Sequence, residues 1–579
     1  METASGGTFL TFDKQGEALN KEKNMNEMQQ KQDDFQVTWD TPFEEQLFWY
    51  RPKVHHFSQM KPIDFDMNVR IIRDASAKNY NQHFNSPMKG LCKYINTYCY
   101  TSLTLRPDVS IEKIPEYNKQ FSEQIQDAIE TCAEDWENKW LPEIKTHLKY
   151  FSSFDLTKVD NTSLLNHLTE TSKRFTRMWE IHHIWATPVM VAIGFFEEMY
   201  LDLFKNAGQL EPYELLTGFD NKIVESGRLL WELSTDIQNM PDMLSLFKNN
   251  DAKTISKKIK QLPENHDFII KLNKYLEEFG MMADIVMLEE PFWIENPEPV
   301  IRIIQNNLLQ PKKQLTTHDE VIQKRNQKLH NIRKQLERYP KPIVEKFESL
   351  LKKAQVCNML WEGHTWWLDY PATYYLRQAI LECGSRLVQS KTLSEQSDVF
   401  YLYEKELFHA MKSLPDPIDM SKEINERKAL ETKFSKVTPP PFIGTPPTTP
   451  PPDDPILRIL MKFEPLPQIS EKPDEIKGYA GSSGIVRGTA RIARTLKEAE
   501  RIQPGEILVA ISTVCSWTPI FSSVRAVVTD NGGILCHGAI VAREYGIPAV
   551  VGAGMATQII KDGQEIEVNG DQGIVKIIH

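Results

Sequence analysis

The feature that most constrains the fold of this 579-residue chain is a proline-rich run, TPPPFIGTPPTTPPPDDP, from Thr438 to Pro455. Proline at this density disfavours helix and sheet and favours an extended polyproline II segment. Its 18 residues can span roughly 55 Å at about 3.1 Å per residue. The run therefore predicts a domain boundary, either as a plain spacer or with parts such as PPPFIG docked on the preceding domain.

Upstream of this run the spacing of apolar residues is helical. From about Asp64 to Met411 apolar residues recur at intervals of three and four, which is typical of amphipathic helices. The clearest examples are Ile111–Trp140, Lys173–Lys205, Glu320–Arg338 and Ile343–Gln355. We therefore expect a mostly α-helical domain over residues 38–437, preceded by a mobile polar tail over residues 1–37.

Downstream of the run the pattern changes to short β-branched segments separated by glycine, as in strands. One helix, Gly538–Tyr545, is predicted among them. This pattern predicts a small layered α/β domain over residues 474–579, after a linker over residues 438–473. The predicted strands are Gly484–Ala493, Glu506–Ile511, Ala526–Asp530, Ala549–Gly552, Glu565–Val568 and Gly573–Ile578.

Composition narrows the function classes. The net charge of −11 argues against nucleic-acid binding as a main task. The seven cysteines form no CxxC pair, so neither a disulfide framework nor a zinc site is expected, which fits a reducing cytoplasm. The N-terminus has no apolar signal segment, and the longest apolar run, Val189–Phe196, is too short to cross a bilayer. We expect a cytoplasmic protein that binds neither nucleic acid nor membrane.

One stretch, Thr529–Gly552 (TDNGGILCHGAIVAREYGIPAVVG), contains the residues best suited to chemistry. A buried strand is predicted to end at Thr529–Asp530. The turn Asn531–Gly532–Gly533 then allows positive φ and a close approach of the backbone to a ligand. His537 follows at the start of the predicted helix, next to Gly538. A phosphate loop that leads into a helix N-terminus is therefore expected here.

His537 is a candidate phosphoryl carrier. A neutral imidazole nitrogen is nucleophilic near neutral pH, and the positive end of a helix dipole favours a phosphoryl group on it. We expect Asp530 and Thr529 to fix the ring tautomer and Arg543 to pair with phosphoryl oxygens. A histidine at a helix start also serves as a cap or packing residue, so the residues alone leave both interpretations open.

The same stretch resembles the phosphohistidine signature of the phosphoenolpyruvate-utilising enzymes, such as phosphoenolpyruvate synthase, pyruvate phosphate dikinase and rifampicin phosphotransferase. The shared pattern includes the Gly-Gly turn, the histidine, the Ala-Arg-Glu run and Gly-Ile-Pro-Ala-Val-Val-Gly, and the similarity extends over Lys477–Ile578. Gly538 departs from the pattern, which has alanine there. The resemblance implies a β/β/α phosphohistidine swivelling domain in which His537 is phosphorylated at one site and donates the phosphoryl group at another.

The helical region resembles the acceptor-binding domain of rifampicin phosphotransferases and, more closely, the large, histidine-bearing subunit of phenylphosphate synthase. The blocks that carry this resemblance are Thr38–Asp66, Leu276–Ile304, Leu360–Leu387 and Asp398–Leu407. Met281–Met282 departs from the rifampicin enzymes, which have His-Arg there. The resemblance implies a phosphotransferase with a small hydroxylated, phenol-like acceptor.

One predicted helix of this region carries candidate acceptor-binding residues. They recur every three or four positions and so share one face, which is either a pocket wall or a salt-bridged packing surface. The residues on this face are Glu362, Trp366, Asp369, Thr373 and Arg377. His364 points elsewhere on the same helix but matches a histidine of the family.

His182 and His183 are neighbours on another predicted helix. Adjacent helical residues diverge by about 100°, so only one of the two can face a pocket. It is either a general base for the acceptor hydroxyl or a packed core histidine. No carboxylate–histidine spacing repeats in the chain, so no bound metal is expected.

The chain contains nothing that resembles the ATP-grasp domain or the phosphoenolpyruvate-binding barrel of the larger family members. The resemblance therefore implies an ATP-grasp partner subunit that brings ATP and Mg²⁺ and charges His537. Three alternatives remain open: phosphoenolpyruvate as the donor, a non-catalytic phosphocarrier or regulatory module, and ligation through an acyl-phosphate intermediate.

Overall fold

The computed structural model describes residues 35–52, 58–308, 318–444, 454–462 and 474–578 except 500, with isolated positions at 465, 468, 470 and 472. The predicted tail as far as residue 34, and residues 445–453 of the proline-rich run, lie outside the described residues. Phe35 is buried and packs on the rings of Tyr98, Tyr100 and Phe434. The packed part of the helical domain therefore begins before residue 38.

The chain has a helical region followed by a strand-rich domain, as predicted. The helices are Pro42–Glu45, Pro62–Asp64, Phe65–Val69 (π), Arg70–Gln82, Ile111–Lys113 (3-10), Ile114–Asp135, Trp136–Trp140 (π), Leu141–Ser152, Leu156–Lys158 (3-10), Asn161–Leu203, Glu211–Glu214, Lys222–Gln238, Pro241–Asn249, Ala252–Ile259, Asp267–Phe279, Glu298–Leu308, His318–Leu336, Lys341–Trp367, Asp369–Gln389, Gln396–Tyr401 (3-10), Glu404–Ser413, Ser421–Phe434, Pro455–Met461, Leu496–Ala499, Cys515–Ser522 (3-10), His537–Tyr545 and Ala556–Ile559. The strands are β1 Trp49–Tyr50, β2 Met88–Ile95, β3 Tyr98–Leu105, β4 Phe442–Ile443, β5 Glu475–Lys477, β6 Tyr479–Ser482, β7 Ile485–Ala493, β8 Ile507–Ala510, β9 Ala526–Thr529, β10 Ala549–Val551, β11 Glu565–Asn569 and β12 Ile574–Ile577.

The helix Asn161–Leu203 forms the centre of the helical domain. The carboxylate of Asp160 caps its N-terminus by accepting the N–H of Ser163 at 2.7 Å. Its apolar residues are buried in the largest hydrophobic core, against helices Arg70–Gln82, Ile114–Asp135, Lys341–Trp367 and Asp369–Gln389. By length and composition this helix could cross a membrane, but 67% of its apolar window is buried inside the protein. Its position in the core explains its apolar composition.

A second core supports the side of the helical domain that faces the C-terminal domain. It contains buried side chains of five consecutive helices between Lys222 and Leu308, such as Leu230, Phe268 and Ile301. Helix Lys222–Gln238 of this layer contacts the 3-10 helix Cys515–Ser522 of the C-terminal domain. The layer therefore forms part of the surface on which the C-terminal domain is docked.

A four-stranded sheet, of order β2-β3-β1-β4, interrupts the region in which the sequence predicts only helices. Strands β2 and β3 form a hairpin whose turn residues, Asn96 and Thr97, have positive φ of 49° and 73°. Positive φ at both central residues is typical of a type I′ turn. The prediction of continuous helices is wrong here, because this turn lacks the glycine that usually marks a hairpin.

The proline-rich run is docked on the helical domain in part, which was one of the two predicted alternatives. Strand β4 pairs with β1, and the hydroxyl of Tyr100 donates a hydrogen bond to the carbonyl of Pro440 at 2.7 Å. Further along, the helix Pro455–Met461 lies on the long core helix, where Ile459 occupies the space that a side chain at Gly194 would need. The predicted linker thus contains a short strand and a helix.

The C-terminal domain is built on an eight-stranded sheet of order β5-β12-β11-β7-β8-β9-β10-β6. Strands β7 to β10 run parallel, and the outer strands pair antiparallel. All six predicted strands are present, and the predicted helix begins at His537. Strand β9 ends at Thr529, so the segment that leads to His537 leaves the carboxyl end of a parallel strand, where ligand sites of α/β domains commonly lie.

Candidate functional site

His537 is the first residue of the helix His537–Tyr545. Cys536 precedes it in an extended conformation and makes no side-chain capping hydrogen bond, and Gly546 ends the helix in the left-handed conformation. The positive end of the helix dipole therefore lies at the imidazole, where it favours a negatively charged substituent. The sequence predicts both the helix start and this electrostatic environment.

The glycine turn before the helix is shaped by contacts within the protein. Gly532 has φ of +104°, and a Cβ there would lie 2.8 Å from the Sγ of Cys536. A side chain at Gly533 would overlap the backbone carbonyl of Lys462. The two glycines allow close approach to Cys536 and to the segment that precedes the C-terminal domain. The approach of Asn531, Gly532 and Gly533 to a ligand stays a prediction.

The imidazole of His537 contacts one side chain from each domain. Its Nε2 lies 2.9 Å from the Oγ1 of Thr518, and its Nδ1 lies 3.5 Å from the Oε2 of Glu362. Glu362 belongs to helix Lys341–Trp367 and is buried, so a carboxylate of the helical domain reaches the candidate carrier. The sequence missed Thr518, because a threonine in an apolar segment gives no local signal.

The two residues expected to orient the ring are engaged elsewhere. Both carboxylate oxygens of Asp530 accept hydrogen bonds from Thr557, one from its N–H at 2.9 Å and one from its hydroxyl. Burial raises the pKa of Asp530 to about 6. The hydroxyl of Thr529 donates to the carbonyl of Asn531 at 2.8 Å. Asp530 and Thr529 therefore stabilise the loops around β9, and the predicted contact with the ring is replaced by Thr518 and Glu362.

Arg543 makes its described hydrogen bonds within the C-terminal domain. Its guanidinium donates to the carbonyl of Gly481 at 2.7 Å and to that of Ile534 at 3.0 Å, and it lies 5.0 Å from the ring centre of Tyr213. Burial lowers the pKa of this arginine. Arg543 thus ties the helix to strand β6 and to the preceding turn, and its pairing with phosphoryl oxygens stays a prediction.

Two buried hydroxyl groups lie in the segment that faces the helix start. Thr513 Oγ1 and Ser516 Oγ have no hydrogen-bond partner among the described residues. A Cβ at Gly538 would lie 2.5 Å from Thr513 Oγ1, so this hydroxyl faces the first helical turn. The departure from the family pattern at Gly538 therefore has a steric reason, because an alanine would crowd this hydroxyl.

The predicted helix face around Glu362 is divided between two helices. Lys341–Trp367 ends before Leu368, whose φ and ψ are −113° and −66°, and Asp369–Gln389 begins after it. This break brings Asp369 near His364, with 3.7 Å between Oδ2 and Nε2. The prediction that His364 points away from the other site residues is therefore wrong.

His182 joins Asp369 and His364 from the long core helix. Its Nδ1 lies 2.9 Å from Oδ1 of Asp369, and its ring centre is 4.8 Å from that of His364. Tryptophan rings line the group: Trp179 lies 4.8 Å from His182, and Trp361 lies 4.8 Å from His364, between ring centres. We call His182, His364 and Asp369 the acceptor-side cluster.

Two other predicted residues lie apart from this cluster. Burial and the nearby His182 hold the pKa of His183 well below its ordinary value, and its Nε2 has no hydrogen-bond partner among the described residues. Arg377 pairs with Glu295 at 3.0 Å and donates to the carbonyl of Leu288. Arg377 thus fixes the loop before helix Glu298–Leu308, and His182 is the member of the histidine pair that faces the site.

The other end of the helix His537–Tyr545 is also docked on the helical domain. Both carboxylate oxygens of Glu544 accept the N–H of Gly218 at 3.0 Å. Arg325 donates to the carbonyls of Thr217 and Gly218 at 2.8 and 2.9 Å, which holds this loop in place. Burial raises the pKa of Glu544 to about 7.

A cavity of about 870 Å³ lies beside this end of the helix. Its lining comes from both domains and includes Lys222, Arg228, Trp231, His318 and Tyr545. The cavity is next to Glu544 and Tyr545, at the opposite end of the helix from His537. It is therefore separate from the contacts that surround the imidazole.

Two family profiles match separate parts of the chain. The mobile domain of phosphoenolpyruvate-utilising enzymes matches residues 502–573, which contain His537. The fourth domain of rifampicin phosphotransferase matches residues 186–360, which lie in the helical region. One match thus lies in the C-terminal domain and the other in the helical domain, the two domains that meet where His537 approaches Glu362.

Relatives align with most of the chain. It is 34% identical to chondramide synthase of Chondromyces crocatus over 558 residues. This alignment covers 94% of this chain and 14% of the synthase. It is 27% identical over 452 residues to an uncharacterised phosphotransferase of Bacillus subtilis, an alignment that covers 75% of this chain and 52% of the relative. It is 29% identical over 363 residues to rifampicin phosphotransferase of Bacillus cereus, an alignment that covers 61% of this chain and 39% of the relative. The chain thus spans between 14% and 52% of the length of these relatives.

Proposed function

This chain belongs to the family of phosphoenolpyruvate-utilising enzymes, and on that premise we propose that it is a phosphotransferase. His537 carries a phosphoryl group to the hydroxyl of a small aromatic acceptor bound in the helical domain. The observation that carries this proposal is the contact of His537 with Glu362, which belongs to the same helix as His364 of the acceptor-side cluster. A carrier histidine of one domain thereby faces acid–base groups of another.

Transfer to the acceptor requires one bond to form and one to break. The acceptor oxygen bonds to phosphorus while the bond between phosphorus and Nε2 of His537 breaks, and Nε2 keeps the electron pair. The negative charge of Glu362, 3.5 Å from Nδ1, favours the tautomer with its proton on Nδ1 and so leaves Nε2 as the phosphorylated nitrogen. The proton of the acceptor hydroxyl passes to His182, whose Nδ1 is held by Asp369 as in other imidazole–carboxylate pairs.

The phosphoryl oxygens bind at the start of the helix. The helix dipole favours their negative charge, and the buried hydroxyls of Thr513 and Ser516 lack partners among the described residues. An unpaired buried hydroxyl costs about 1–3 kcal/mol. A phosphoryl group that accepts a hydrogen bond from Thr513, whose hydroxyl faces the first helical turn, removes this cost, so Thr513 favours the phosphorylated state of His537.

An aromatic acceptor fits the surroundings of the cluster. Besides Trp179 and Trp361, the ring of Trp185 lies 5.5 Å from that of His364, between ring centres. Aromatic rings stack on tryptophan in offset or tilted arrangements. A phenol-like compound can therefore bind with its ring against tryptophan and its hydroxyl toward the cluster.

The donor half of the reaction uses a partner in this proposal. An ATP-grasp subunit with ATP and Mg²⁺ transfers a pyrophosphoryl group to Nε2 of His537 and releases AMP. Water then removes the outer phosphate as inorganic phosphate, which leaves phosphohistidine. The reaction takes place in the cytoplasm, where ATP is abundant. The movement of the C-terminal domain between the two sites is the conformational step.

The proposal can be tested on the purified chain alone. Because the acceptor half-reaction is reversible, an aryl phosphate should load His537 without any partner. We expect intact mass spectrometry to detect one added phosphoryl group after incubation with phenyl phosphate, and acid to remove it. His537→Ala should abolish the addition. His330→Ala, which changes an exposed histidine of helix His318–Leu336, is the matched control and should behave as the unaltered protein.

The other outcomes separate the alternatives. Loading by alkyl but not aryl phosphates would keep the phosphotransferase and replace the aromatic acceptor. Loading by phosphoenolpyruvate would change the donor. No addition with any phosphate ester, and none with ATP plus an ATP-grasp subunit, would overturn the proposal and leave a non-catalytic phosphocarrier or binding module.

A further inference from the structure

The acceptor-side cluster has the composition of a metal site. His182, His364 and Asp369 come from three different helices, and one potential ligand atom of each lies within 4.8 Å of the others. All three side chains are largely buried, with exposed fractions of 14%, 8% and 7%. Buried charged or polar groups normally have partners that balance them.

The geometry of His364 directs a ring nitrogen toward the carboxylate of Asp369. Its Nδ1 lies within hydrogen-bond distance of the carbonyl of Trp361 and therefore carries the ring proton. The lone pair on Nε2 then faces a carboxylate oxygen of Asp369 at 3.7 Å, beyond hydrogen-bond distance. A cation bound by both atoms removes the repulsion of two facing lone pairs.

The atom types suit a divalent transition-metal ion. Neighbouring ligands of an ion with bonds of about 2.1 Å lie about 3.0–3.4 Å apart. The separation of His182 Nδ1 from Asp369 Oδ1, 2.9 Å, is slightly shorter than this range, and that of His364 Nε2 from Asp369 Oδ2, 3.7 Å, is slightly longer, so small side-chain shifts would bring all three ligands to one ion. A backbone carbonyl that accepts the second N–H of a ligating histidine, as Trp361 does for His364, is a common outer contact of metal sites. Two imidazoles and one carboxylate favour ions such as Zn²⁺ or Mn²⁺ over Mg²⁺.

We propose that His182, His364 and Asp369 bind one divalent transition-metal ion. With three protein ligands the ion keeps at least one position open. The sequence-based expectation of no metal is revised here, because the ligands lie on separate helices and His364 and Asp369 meet only through the break at Leu368. No short sequence motif encodes such a site.

The consequence for catalysis rests on the proposed function, whereas metal binding itself does not. The acceptor oxygen would occupy the open position, and the ion would lower the pKa of its hydroxyl. His182 is then a metal ligand. The ion, in place of the pair His182–Asp369, promotes loss of the proton from the acceptor hydroxyl. Glu362, two residues before His364, brings the phosphorylated carrier beside the ion.

The test measures metal binding by the full chain. Protein stripped with a chelator is titrated with Zn²⁺ and with Mn²⁺ by calorimetry, and the bound ion is counted by mass spectrometry after gel filtration. We expect one ion per chain. Asp369→Asn and His364→Gln should each weaken binding by at least about tenfold, while His330→Ala should bind as the unaltered protein. Circular dichroism checks that each variant is folded.

A spectroscopic measurement keeps the test decisive if a variant does not fold. Co²⁺ bound to nitrogen and oxygen ligands absorbs only in the visible range, whereas thiolate ligands add intense near-ultraviolet bands. We expect the unaltered chain to give visible bands without the intense near-ultraviolet bands of thiolate ligands. No stoichiometric ion, or a thiolate spectrum, would overturn the metal site even if phenyl phosphate still loads His537. Binding of the ion without any loading would instead keep the site and overturn the proposed function.

Discussion

The two ends of the helix His537–Tyr545 are docked on the helical domain in different ways. At the N-terminal end, His537 lies 3.5 Å from Glu362, a separation longer than a hydrogen bond. At the C-terminal end, both oxygens of Glu544 accept the N–H of Gly218 at 3.0 Å in a partly buried site. The contact with the candidate nucleophile is thus the looser one. We therefore expect domain docking and the proposed phosphoryl transfer to depend mainly on different residues, with the charge of Glu362 as the link between the two ends.

The largest expected effect is a pH dependence of domain docking, which tests the contact of Glu544 at the C-terminal end of the helix. The docked pKa of Glu544, about 7, is above its ordinary value of 4.5, mainly because of burial, with Glu362 raising it further and Arg543 and Arg325 lowering it. Docking therefore takes up a proton, and its stabilisation is fully present below about pH 4.5 and is lost as the pH rises through about 7. We expect a change on the order of 3 kcal/mol across this range.

Small-angle scattering can follow this change as an increase in the radius of gyration between pH 4.5 and pH 8. Glu544→Gln should remove the pH dependence, since the amide stays neutral. Glu337→Gln, an exposed glutamate of the helical domain, is the matched control and should keep it. A radius that does not change with pH in the unaltered chain would contradict the assignment of docking to Glu544.

The second largest expected effect is slower phosphoryl transfer, which tests the contact of Glu362 with His537 at the N-terminal end of the helix. Glu362→Gln retains the shape of the side chain but removes the negative charge 3.5 Å from Nδ1 of His537. We expect the barrier to transfer to rise by about 2 kcal/mol, which slows transfer roughly 30-fold. The carrier can be charged chemically with phosphoramidate, and loss of phosphohistidine is then followed with and without phenol. Spontaneous hydrolysis should keep its rate in the variant. Equal slowing of both reactions would mean that Glu362 acts on the fold and not on transfer.

The smallest effect concerns Thr518, which belongs to the same domain as His537. Thr518→Val removes the hydroxyl that lies 2.9 Å from Nε2 while keeping nearly the same volume. One neutral hydrogen bond contributes about 1 kcal/mol, so loading of His537 by phenyl phosphate should slow roughly fivefold. Scattering should detect no change in docking. An altered radius of gyration would show that the two ends of the helix are coupled after all.

The sequence predicts the C-terminal domain better than the acceptor-side cluster, for physical reasons. Strands such as Ala526–Thr529 and the helix start at His537 follow from local patterns: β-branched runs, a glycine turn and the family signature. The cluster depends on the break at Leu368, which changes the direction of every side chain after it. A helix extrapolated through that residue puts Asp369 on the wrong face relative to His364.

Proximity in sequence was a poor guide to contacts of the candidate carrier. Asp530 and Arg543 lie within seven residues of His537, yet Asp530 bonds Thr557 and Arg543 bonds backbone carbonyls. Glu362 is far away in the chain and comes within 3.5 Å of the ring. Tertiary packing decides which charged groups meet, and a single sequence does not contain that information in its local spacing.

The docked segment before the C-terminal domain determines how far a moving carrier can travel. Lys462 bonds Glu197 of the long core helix at 2.6 Å, and its carbonyl packs against Gly533 near the carrier. Any movement of the proposed carrier is therefore limited by the length of chain between Lys462 and residue 474. The eleven intervening residues extend at most roughly 35–40 Å. In the proposed function, a donor site would have to open within this radius, and the acceptor site would meet the carrier at a high effective concentration.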